Sequence, residues 1–401
     1  MYMNVSELNY LNLRVCGIDP HKRFFKAVIV DVSTLNTIYE SNFPNNKSGV
    51  TELETKLREY RCNLVVIENT NNFSSALYYY LKRHNFDVKS VSPKSVPQKP
   101  KKSDRIDAKW VAIVYVKGLV EEDYVPPEDI QHLRDLVRAR KRLVDMRTAL
   151  KNRVHTLLTR GALHLNKLYS DIFGKKGREA INAIVSSNLD EVDERVSQVI
   201  GDAFLELINK RVVDLFMGLI EILDERIKEL DEVIAAYVDT HSSIKAMVER
   251  IMTVPGISLV TAAIIVAEVG DFTRFPDKKQ ISGWAGIVPR TKESAGVQRG
   301  YGITKRGSPY LRYALHEVAN VIILRKEPKE LYAFYWRVRR RSGKYKATTA
   351  LAHKVLIVLW GMMTTGSNFE MDSNARRLYH RKLRRFSNMA ESGKRVLLEV
   401  T

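Results

Sequence analysis

The sequence predicts an α/β domain at the N-terminus and a longer, mostly helical region after it. Two short apolar runs, residues 15–19 and 64–68, each end in an acid, which is typical of buried strands that bring a carboxylate to a sheet edge. Beyond about residue 126 the apolar residues recur at helical spacing instead. A chain of 401 residues is long enough for two or three domains.

The composition indicates a polyanionic partner. The formal net charge is +19 and the sequence pI is about 9.7, whereas the hydrophobic content of 45% is ordinary for a globular protein. Cys16 and Cys62 lack the spacing of a metal site or disulfide framework, so we expect small buried residues in a reducing cytoplasm. The N-terminus lacks a signal-peptide pattern, and the apolar stretch 350–363 is too short to span a bilayer. No membrane role is expected.

The elements of the N-terminal domain follow from the apolar pattern. Residues 14–31 predict two strands joined by a tight turn at Pro20-His21-Lys22, and a strand near 37–43 completes an antiparallel meander. Ser48 is expected to cap a helix that reaches about Tyr60. The remaining elements, in order, are the strand ending at Glu68, a helix over 74–83, a strand over 86–91, a proline-broken basic loop over 93–102 and a helix from Ser103.

Four acids of this domain have the pattern of a metal site. Asp19 and Glu68 end strands, whereas Asp104 and Asp107 project from one face if Ser103 caps a helix there. Carboxylate ligands from several elements suit Mg²⁺ or Mn²⁺, and two such ions promote an in-line attack at phosphorus. Each acid alone is better explained as the cap of a strand or helix. Four together in a basic protein favour the metal site.

A strongly basic helix is predicted over residues 128–160, after Pro126-Pro127 ends the first domain. One face of this helix is apolar, and from Arg134 onward the other faces carry many arginines and lysines with only two acids, Asp135 and Asp145. A solvated helix usually mixes signs, so the imbalance favours binding to DNA or RNA. The residues of the basic loop and of this helix that we expect to contact nucleic acid are Lys101, Lys102, Arg134, Arg138, Arg142, Arg147 and Arg153.

The middle of the chain predicts a coiled coil. Residues 161–202 predict helices without a chemical motif. Apolar residues then alternate at steps of four and three, in the a/d pattern of a coiled coil: Phe216, Ile220, Leu223, Ile227, Leu230, Ile234 and Tyr237. Charged residues of both signs flank this seam, which favours a self-association arm. The alternative is a helical pair that closes within one chain.

The C-terminal region interleaves glycines with basic residues. Residues 253–258 predict either a helix-hairpin-helix turn, whose amides take a backbone phosphate, or a plain turn between helices. The glycines of residues 283–312 let the backbone approach a phosphate closely. The basic residues expected to contact nucleic acid here are Arg299, Lys305, Arg306, Arg312, Arg339 and Arg340.

Aromatic and basic residues near the C-terminus offer further contacts. Tyr335 and Trp336 precede an arginine run, where they either stack on bases or pack within helices. A buried helix over 350–363 is expected to close the core. The basic stretch from Asn374 is expected to be an arm that orders on nucleic acid.

Three motifs resemble the DEDD transposases of bacterial and archaeal insertion sequences. They are Gly-Ile-Asp-Pro-His-Lys at 17–22, Val-Ile-Glu-Asn-Thr at 66–70 and Lys-Ser-Asp-Arg-Ile-Asp-Ala at 102–108, and the signatures recur to near residue 362. The order of strands, helix and acids also resembles the RuvC-like branch of the RNase H fold. That family includes the RNA-guided bridge recombinases and is related to the Piv-type DNA invertases. Where it often has Glu-Ala-Thr-Gly, this chain has Glu-Asn-Thr-Asn at 68–71 and keeps the acid.

The resemblance implies a transposase that cuts and rejoins DNA with Mg²⁺ or Mn²⁺ at the four acids. It also implies a serine nucleophile, which we assign to Ser294, with Ser308 as the alternative. Ser294 precedes Ala295 where the family commonly has glycine. Four segments are expected: 1–125, the RuvC-like catalytic domain; 126–250, the basic helix and coiled coil; 251–370, the serine-bearing transposase domain; and 371–401, a basic tail.

Further expectations from the resemblance concern partners and place. They are DNA, a structured guide RNA, a homo-oligomer (dimer or tetramer) whose catalytic parts meet across subunits, no membrane, and a prokaryotic cytoplasm near the nucleoid. Two alternatives use the same acids without RNA: a site-specific DNA invertase and a Holliday-junction nuclease. A third is a non-catalytic nucleic-acid-binding scaffold, which the presence of all four acids argues against.

Overall fold

A five-stranded mixed sheet of order β3-β2-β1-β4-β5 forms the centre of the N-terminal unit, Met1–Glu128. β1, β2 and β3 form an antiparallel meander, whereas β4 and β5 run parallel to β1. The strands are β1 (Arg14–Pro20), β2 (Phe24–Asp31), β3 (Thr37–Pro44), β4 (Leu64–Glu68) and β5 (Asp87–Val91). The predicted meander and the two strands ending in acids are therefore confirmed.

Helices cover both faces of this sheet. They are α1 (Lys47–Glu59), α2 (Asn72–Arg83) and α3 (Ala108–Val116). The structure is a computed structural model that describes residues 13–69, 72–93, 95–97, 108–187, 194–201, 203–294, 297–370 and 373–400. Within these ranges, no side chain is described at 72, 73, 194, 195, 201, 291–294, 297–301, 373–375 and 397–400.

The apolar runs of β1 and β4 are continuous because each strand is buried on both faces. Cys16 and Ile18 pack with α1 and α2, whereas Val15 and Val66 pack with α3. Both cysteines are free and buried, as predicted, and burial raises the pKa of Cys62 to about 12. One local expectation was wrong: Asn46, not Ser48, caps α1, because the Asn46 side chain accepts a hydrogen bond from the Gly49 amide.

Gly17 lets α3 begin directly against β1. A Cβ atom at this position would lie 1.9 Å from the carbonyl oxygen of Ala108, the first residue of α3. Only glycine permits that approach. The start of α3 is therefore fixed beside the strand that ends in Asp19, two residues further along.

The second unit, Asp129–Thr401, is mostly helical, so the predicted change from an α/β part to a helical part is confirmed. It begins with α4 (Glu128–Arg160), whose bounds agree with the prediction. The elements that follow are α5 (Lys175–Ser186), α6 (Glu194–Gly201), α7 (Lys210–Thr240), α8 (Ser242–Met252), α9 (Leu259–Val269), α10 (Lys278–Ala285), β6 (Pro289–Ser294), β7 (Val297–Ile303), α11 (Pro309–Arg325), α12 (Lys329–Thr365) and α13 (Ser373–Val400).

Three residues of the seam predicted for a coiled coil, Ile220, Ile227 and Ile234, are buried within this chain, and the other four are half-buried. Ile220 belongs to a core with α5 and α6, whereas Ile234 belongs to the main core of the unit. α13 lies along α7, where Lys394 Nζ donates to Asp239 Oδ2 at 2.8 Å. Part of the seam is thus covered by helices of the same chain, which favours the alternative of a helical pair, and the self-association arm stays a prediction.

The basic C-terminal stretch differs from the expected arm, because it is the helix α13. Phe386 and Ala390 are four residues apart and are both buried in the main core. Apolar side chains at helical spacing give α13 a face to bury, and the arginines between them made the stretch resemble a disordered tail.

By length and composition, α12 is the one helix in the described ranges that is long and apolar enough to cross a membrane. A core helix of a globular protein passes the same test, and Leu351, Val355 and Leu359 of α12 are fully or almost fully buried in the main core. The helix is also interrupted at Gly343, whose φ and ψ are 78° and 171°. α12 is therefore weak evidence for a membrane span.

Candidate functional site

Asp19 and Glu68 lie side by side at one edge of the sheet. β1 and β4 run in parallel, and Ile18 pairs with Ile67, so each strand places an acid one residue later at the same end. The Asp19 side chain is 15% exposed and Glu68 is 6% exposed. The structure thus brings two of the four predicted metal ligands together.

Among the described residues, no ion pair to Glu68 balances the charge at this edge. Burial and, second, the neighbouring Asp19 carboxylate raise the pKa of Glu68 to about 7. A buried carboxylate beside a second acid therefore keeps its proton until near neutral pH. Either a proton or a cation relieves the repulsion.

His21 adds a group that the sequence prediction did not assign to the site. Its Nε2 atom lies 3.3 Å from Asp19 Oδ2, and its ring packs against Phe24 with centroids 4.8 Å apart. The two side chains form an ion pair when the imidazole is protonated. The signal in the sequence was the tight turn at 20–22, which folds His21 back beside the acid.

Asn69 and Asp123 extend the same edge. The Asn69 amide donates to the Val91 carbonyl at 2.8 Å, and Asn69 Nδ2 donates to Asp123 Oδ2 at 3.4 Å. Burial raises the pKa of Asp123. Asn69 is where this chain departs from the family motif, and there it ties the turn after Glu68 to Asp123. Sequence analysis missed Asp123 because it ends a run of three acids that resembles a solvated loop.

Asp104, Asp107, Lys101 and Lys102 lie outside the described residues, as does the helix start predicted at Ser103. Among the residues that are described, no group of three or more histidines, cysteines and acids is arranged to hold a metal ion. The described part of the predicted site is therefore the pair Asp19 and Glu68.

Ser294 ends β6 in a two-stranded sheet of the second unit. Its backbone pairs with Val297, and the backbone of Lys292 pairs with that of Arg299. Ala295 and Gly296 lie outside the described residues, as do the side chains of Ser294 and Arg299. Ser294 is thus the strand residue next to the connection between β6 and β7.

Ser308 has a structural role at the start of α11. Its hydroxyl oxygen accepts hydrogen bonds from the amides of Tyr310 and Leu311 at 3.2 and 3.3 Å. A serine that satisfies two free amides at a helix start is an N-cap. The cap explains this serine without a catalytic role.

The basic residues near Ser308 divide into exposed and bonded side chains. Lys305 and Arg306 are exposed. Arg312 instead donates to the carbonyl oxygens of Ala285 and Gly307, at 3.3 and 2.5 Å, and burial lowers its pKa. Arg312 therefore joins the end of α10 to the start of α11.

The arginines of α4 divide in the same way. Arg138 forms a bidentate ion pair with the buried Glu268, at 2.7 and 2.9 Å, and Arg147 contacts Asp224 at 2.5 Å. Arg134 donates to the carbonyl oxygens of Ala267 and Glu268 at the end of α9. The residues of the predicted set that remain exposed on α4 are Arg142 and Arg153.

Comparison with known proteins gives consistent results. Residues 16–162 match the family model DEDD_Tnp_IS110, described as a transposase, and residues 248–336 match the model of the transposase IS116/IS110/IS902 family. The two models together match more than half of the chain.

Individual relatives carry the same description. The chain is 28% identical to the transposase for insertion sequence element IS1111A of Coxiella burnetii, over 68% of this chain and 70% of that protein. It is 29% identical to a probable family 20 transposase of Pseudomonas aeruginosa, over 69% and 77%. A more distant match is the pilin gene-inverting protein of Moraxella lacunata, 22% identical over 88% and 97%. The chain belongs to the IS110 family of DEDD transposases encoded by insertion sequences.

Proposed function

We propose that this transposase rearranges DNA at a site where Asp19, Glu68, Asp104 and Asp107 hold one or two Mg²⁺ ions. Transposases of this family cut and rejoin DNA, and divalent metals are typical of DEDD enzymes. The observation that carries the proposal is the adjacency of two strand-end carboxylates, one of which is buried with a raised pKa. Oxygen donors of this kind fit a hard divalent cation.

The start of α3 supports the inclusion of the other two acids. Asp107 directly precedes Ala108 in the chain, and the Ala108 carbonyl packs against Gly17, two residues before Asp19. The mixed sheet with parallel β1, β4 and β5 is compatible with the RuvC-like RNase H fold that the motif order implies. We therefore propose that fold for the N-terminal unit.

The proposed chemistry is transfer of a phosphodiester through Ser294. The serine oxygen bonds to phosphorus while the bond to the departing DNA oxygen breaks, and the serine proton is balanced by one that this oxygen gains. Attack by a hydroxyl of another strand reverses the step and rejoins the DNA. Divalent ions held by the four acids would supply positive charge next to the phosphate and the leaving oxygen. Because the ester bond is conserved, strand exchange needs no external energy source.

The serine step is tested by trapping the covalent intermediate. Wild type incubated with nicked or phosphorothiolate DNA should form a protein–DNA adduct on a denaturing gel, and Ser294→Ala should form none. Ser308→Ala should retain the adduct, since Ser308 caps α11. An adduct in Ser294→Ala that is absent in Ser308→Ala would move the nucleophile. No adduct in wild type would favour direct attack by water.

We also propose that the active protein is a homo-oligomer. Leu215, Leu219 and Ile222 share one face of α7 and are 60%, 40% and 54% exposed, although the seam on the other side of this helix is buried. Gly218 lies between them, and a Cβ atom there would have no neighbour within 4 Å. A second copy of α7 fits such an apolar face. Sedimentation velocity should show a multimer that Leu219→Asp dissociates, and an unchanged sedimentation coefficient would reject this interface.

A structured RNA is the proposed guide, because the resemblance to bridge recombinases implies one and the chain is strongly basic. The alternative is DNA inversion without RNA, which the similarity to the pilin gene-inverting protein favours. Protein purified from cells that carry the native insertion sequence should bring the RNA with it, and sequencing identifies it. A preparation that is free of RNA yet recombines DNA would establish the alternative.

A further inference from the structure

Tyr345 is the most exposed large apolar side chain in the described part of the chain. It is 86% exposed and lies in α12, two residues after the interruption at Gly343. A tyrosine ring in solvent loses the stabilisation that burial of its apolar surface gives. Such a ring is available to a ligand without any rearrangement of the core.

Tyr335 and Trp336, the aromatic residues that the sequence suggested for stacking on bases, contact other protein side chains instead. Tyr335 is 1% exposed and belongs to the main core. Trp336 is 37% exposed, and the Arg339 guanidinium lies 4.5 Å from the centre of its ring. These two side chains support the helix, so the ring left for a ligand in this region is that of Tyr345.

The stretch of α12 that carries Tyr345 is basic without interruption. The chain has no acid between Glu330 and Glu370. Its exposed cations near the interruption, none of which pairs with an acid among the described residues, are Arg337, Arg340, Arg341, Lys344 and Lys346. An aromatic ring among cations is the combination with which proteins bind single strands, since bases stack while phosphates bind the cations.

Gly343 and Ala347 hold Tyr345 in place. A φ of 78° is a conformation that side chains disfavour, so glycine permits the break and α12 restarts at Lys344. Ala347 is fully buried and anchors the first turn of this second half. The backbone beneath Tyr345 is thus fixed while its ring stays in solvent, and the free amides of that turn favour an anion.

We propose that Tyr345 stacks on an unpaired base of a structured RNA whose adjacent phosphates bind Arg340, Arg341 and Lys344. RNA is the occupant because loops and bulges already present unstacked bases, whereas duplex DNA must first extrude one. The inference rests on the proposed RNA partner and names the contact that a single base makes with this protein.

The test measures binding of the full-length protein to an RNA hairpin with a seven-nucleotide unpaired loop, and to a blunt RNA duplex of equal length. Tyr345→Ala should weaken hairpin binding by about 5- to 150-fold, the range for loss of one base–aromatic stack, and leave duplex binding unchanged. Tyr345→Phe should bind like wild type, because its ring still stacks. In Tyr345→Trp, addition of the hairpin should quench the emission of the introduced tryptophan, and addition of the duplex should not.

Controls separate stacking from other effects. Leu324→Ala removes a side chain that is 81% exposed on α11 and should leave hairpin binding unchanged. Tyr345→Ala should keep the wild-type slope of log K against log salt, because no phosphate contact is lost, whereas Arg340→Gln should reduce it. Unfolding midpoints should be equal for all variants at position 345.

Three results would overturn the inference. They are wild-type hairpin affinity in Tyr345→Ala, equal binding by Tyr345→Leu and Tyr345→Phe, and preferential binding of single-stranded DNA over the hairpin. Recombination by RNA-free protein would reject the proposed guide RNA. The contribution of Tyr345 to hairpin binding is measured in a separate assay that does not depend on that result. Failure of the two proposals is therefore distinguishable.

Discussion

Two buried glutamates in this protein have opposite surroundings. Glu268 is 3% exposed, and its two carboxylate oxygens accept hydrogen bonds from two guanidinium nitrogens of Arg138. Glu68 is 6% exposed, and the like charge of the Asp19 carboxylate adds to the effect of burial on its pKa. Among the described residues the first carboxylate has a cationic partner and the second has none, so a proton or a cation would relieve the charge of Glu68. A buried acid with a cationic partner therefore indicates a structural role, and a buried acid without one among the described residues is a candidate for a functional role.

The basic residues show the same division. Arg138 and Arg147 of α4 are occupied by acids that come from α9 and α7, whereas Arg340 and Arg341 of α12 are exposed. Counted along the sequence, both helices carry an excess of positive charge. In three dimensions, acids of the same unit neutralise a large part of the positive charge on α4. The arginines of α12 near Tyr345 have no such partners among the described residues.

The largest effect is expected at the adjacent carboxylates Asp19 and Glu68. Asp19→Asn and Glu68→Gln should each reduce recombination by more than about 100-fold, the upper range for residues that merely support a metal ligand. Both variants should melt at a higher temperature than wild type in metal-free buffer, because the repulsion between the two acids is removed. Gel-based recombination assays and differential scanning calorimetry measure the two effects. Full recombination by Asp19→Asn would contradict the metal site.

Breaking the compensated pair should affect stability instead. Glu268→Gln leaves the Arg138 guanidinium without its charge partner and should cost about 2 kcal/mol, below the ~3–5 kcal/mol of fully buried pairs because Arg138 is 35% exposed. Urea unfolding measures the loss. The double variant Arg138→Met/Glu268→Leu should recover most of it. Equal stability of Glu268→Gln and wild type would remove the contrast between the two glutamates.

The stability of the metal-free protein should fall as pH rises from about 4.5 to about 7. The pKa of Glu68 is raised to about 7 in the folded state from a reference of 4.5, so the folded state holds the proton more tightly than the unfolded state. The stabilisation is present below the unfolded pKa and lost as pH passes the folded one. Glu68→Gln should lack this pH-dependent stabilisation. Subtracting its profile of unfolding midpoint against pH from that of wild type isolates the contribution of Glu68. At pH 8, Mg²⁺ should raise the unfolding midpoint of the wild-type protein, and it should raise the midpoint of Glu68→Gln by less.

The smallest effect is expected for the exposed arginines of α4. Arg142→Gln and Arg153→Gln should each reduce the slope of log K against log salt by about 0.7–0.9, the value for one phosphate contact. Their unfolding midpoints should equal that of wild type. Arg134→Gln should lower the midpoint instead, since Arg134 holds two carbonyl oxygens of α9. Fluorescence anisotropy over a salt series, run beside thermal unfolding, distinguishes the two kinds of arginine.

The sequence predicted the elements that depend on local patterns. The strands ending in Asp19 and Glu68 were recognisable because residues buried on both faces form continuous apolar runs. The adjacency of the two acids followed once both strands were expected in one sheet. The bounds of α4 agreed because prolines precede it and its apolar face is regular.

Features that join distant parts of the chain were not predictable in this way. Glu268 lies 130 residues from Arg138, so the arginine looked available for nucleic acid until the two helices were seen to pack. Asp123 reaches the site edge through an amide of Asn69, which no spacing encodes. The packing of α13 against α7 was not predicted either, because the apolar residues of α13 are few and are separated by arginines.

The pairing of α7 with α13 has a consequence during protein synthesis. The two helices are separated by more than a hundred residues, yet Phe386 and Ala390 of α13 complete the core to which Ile234 of α7 contributes. When α7 leaves the ribosome, the helix that covers it has not been made. The apolar side of α7 therefore stays open until α13 emerges, and this helical unit reaches its final packing only after more than a hundred further residues have been made.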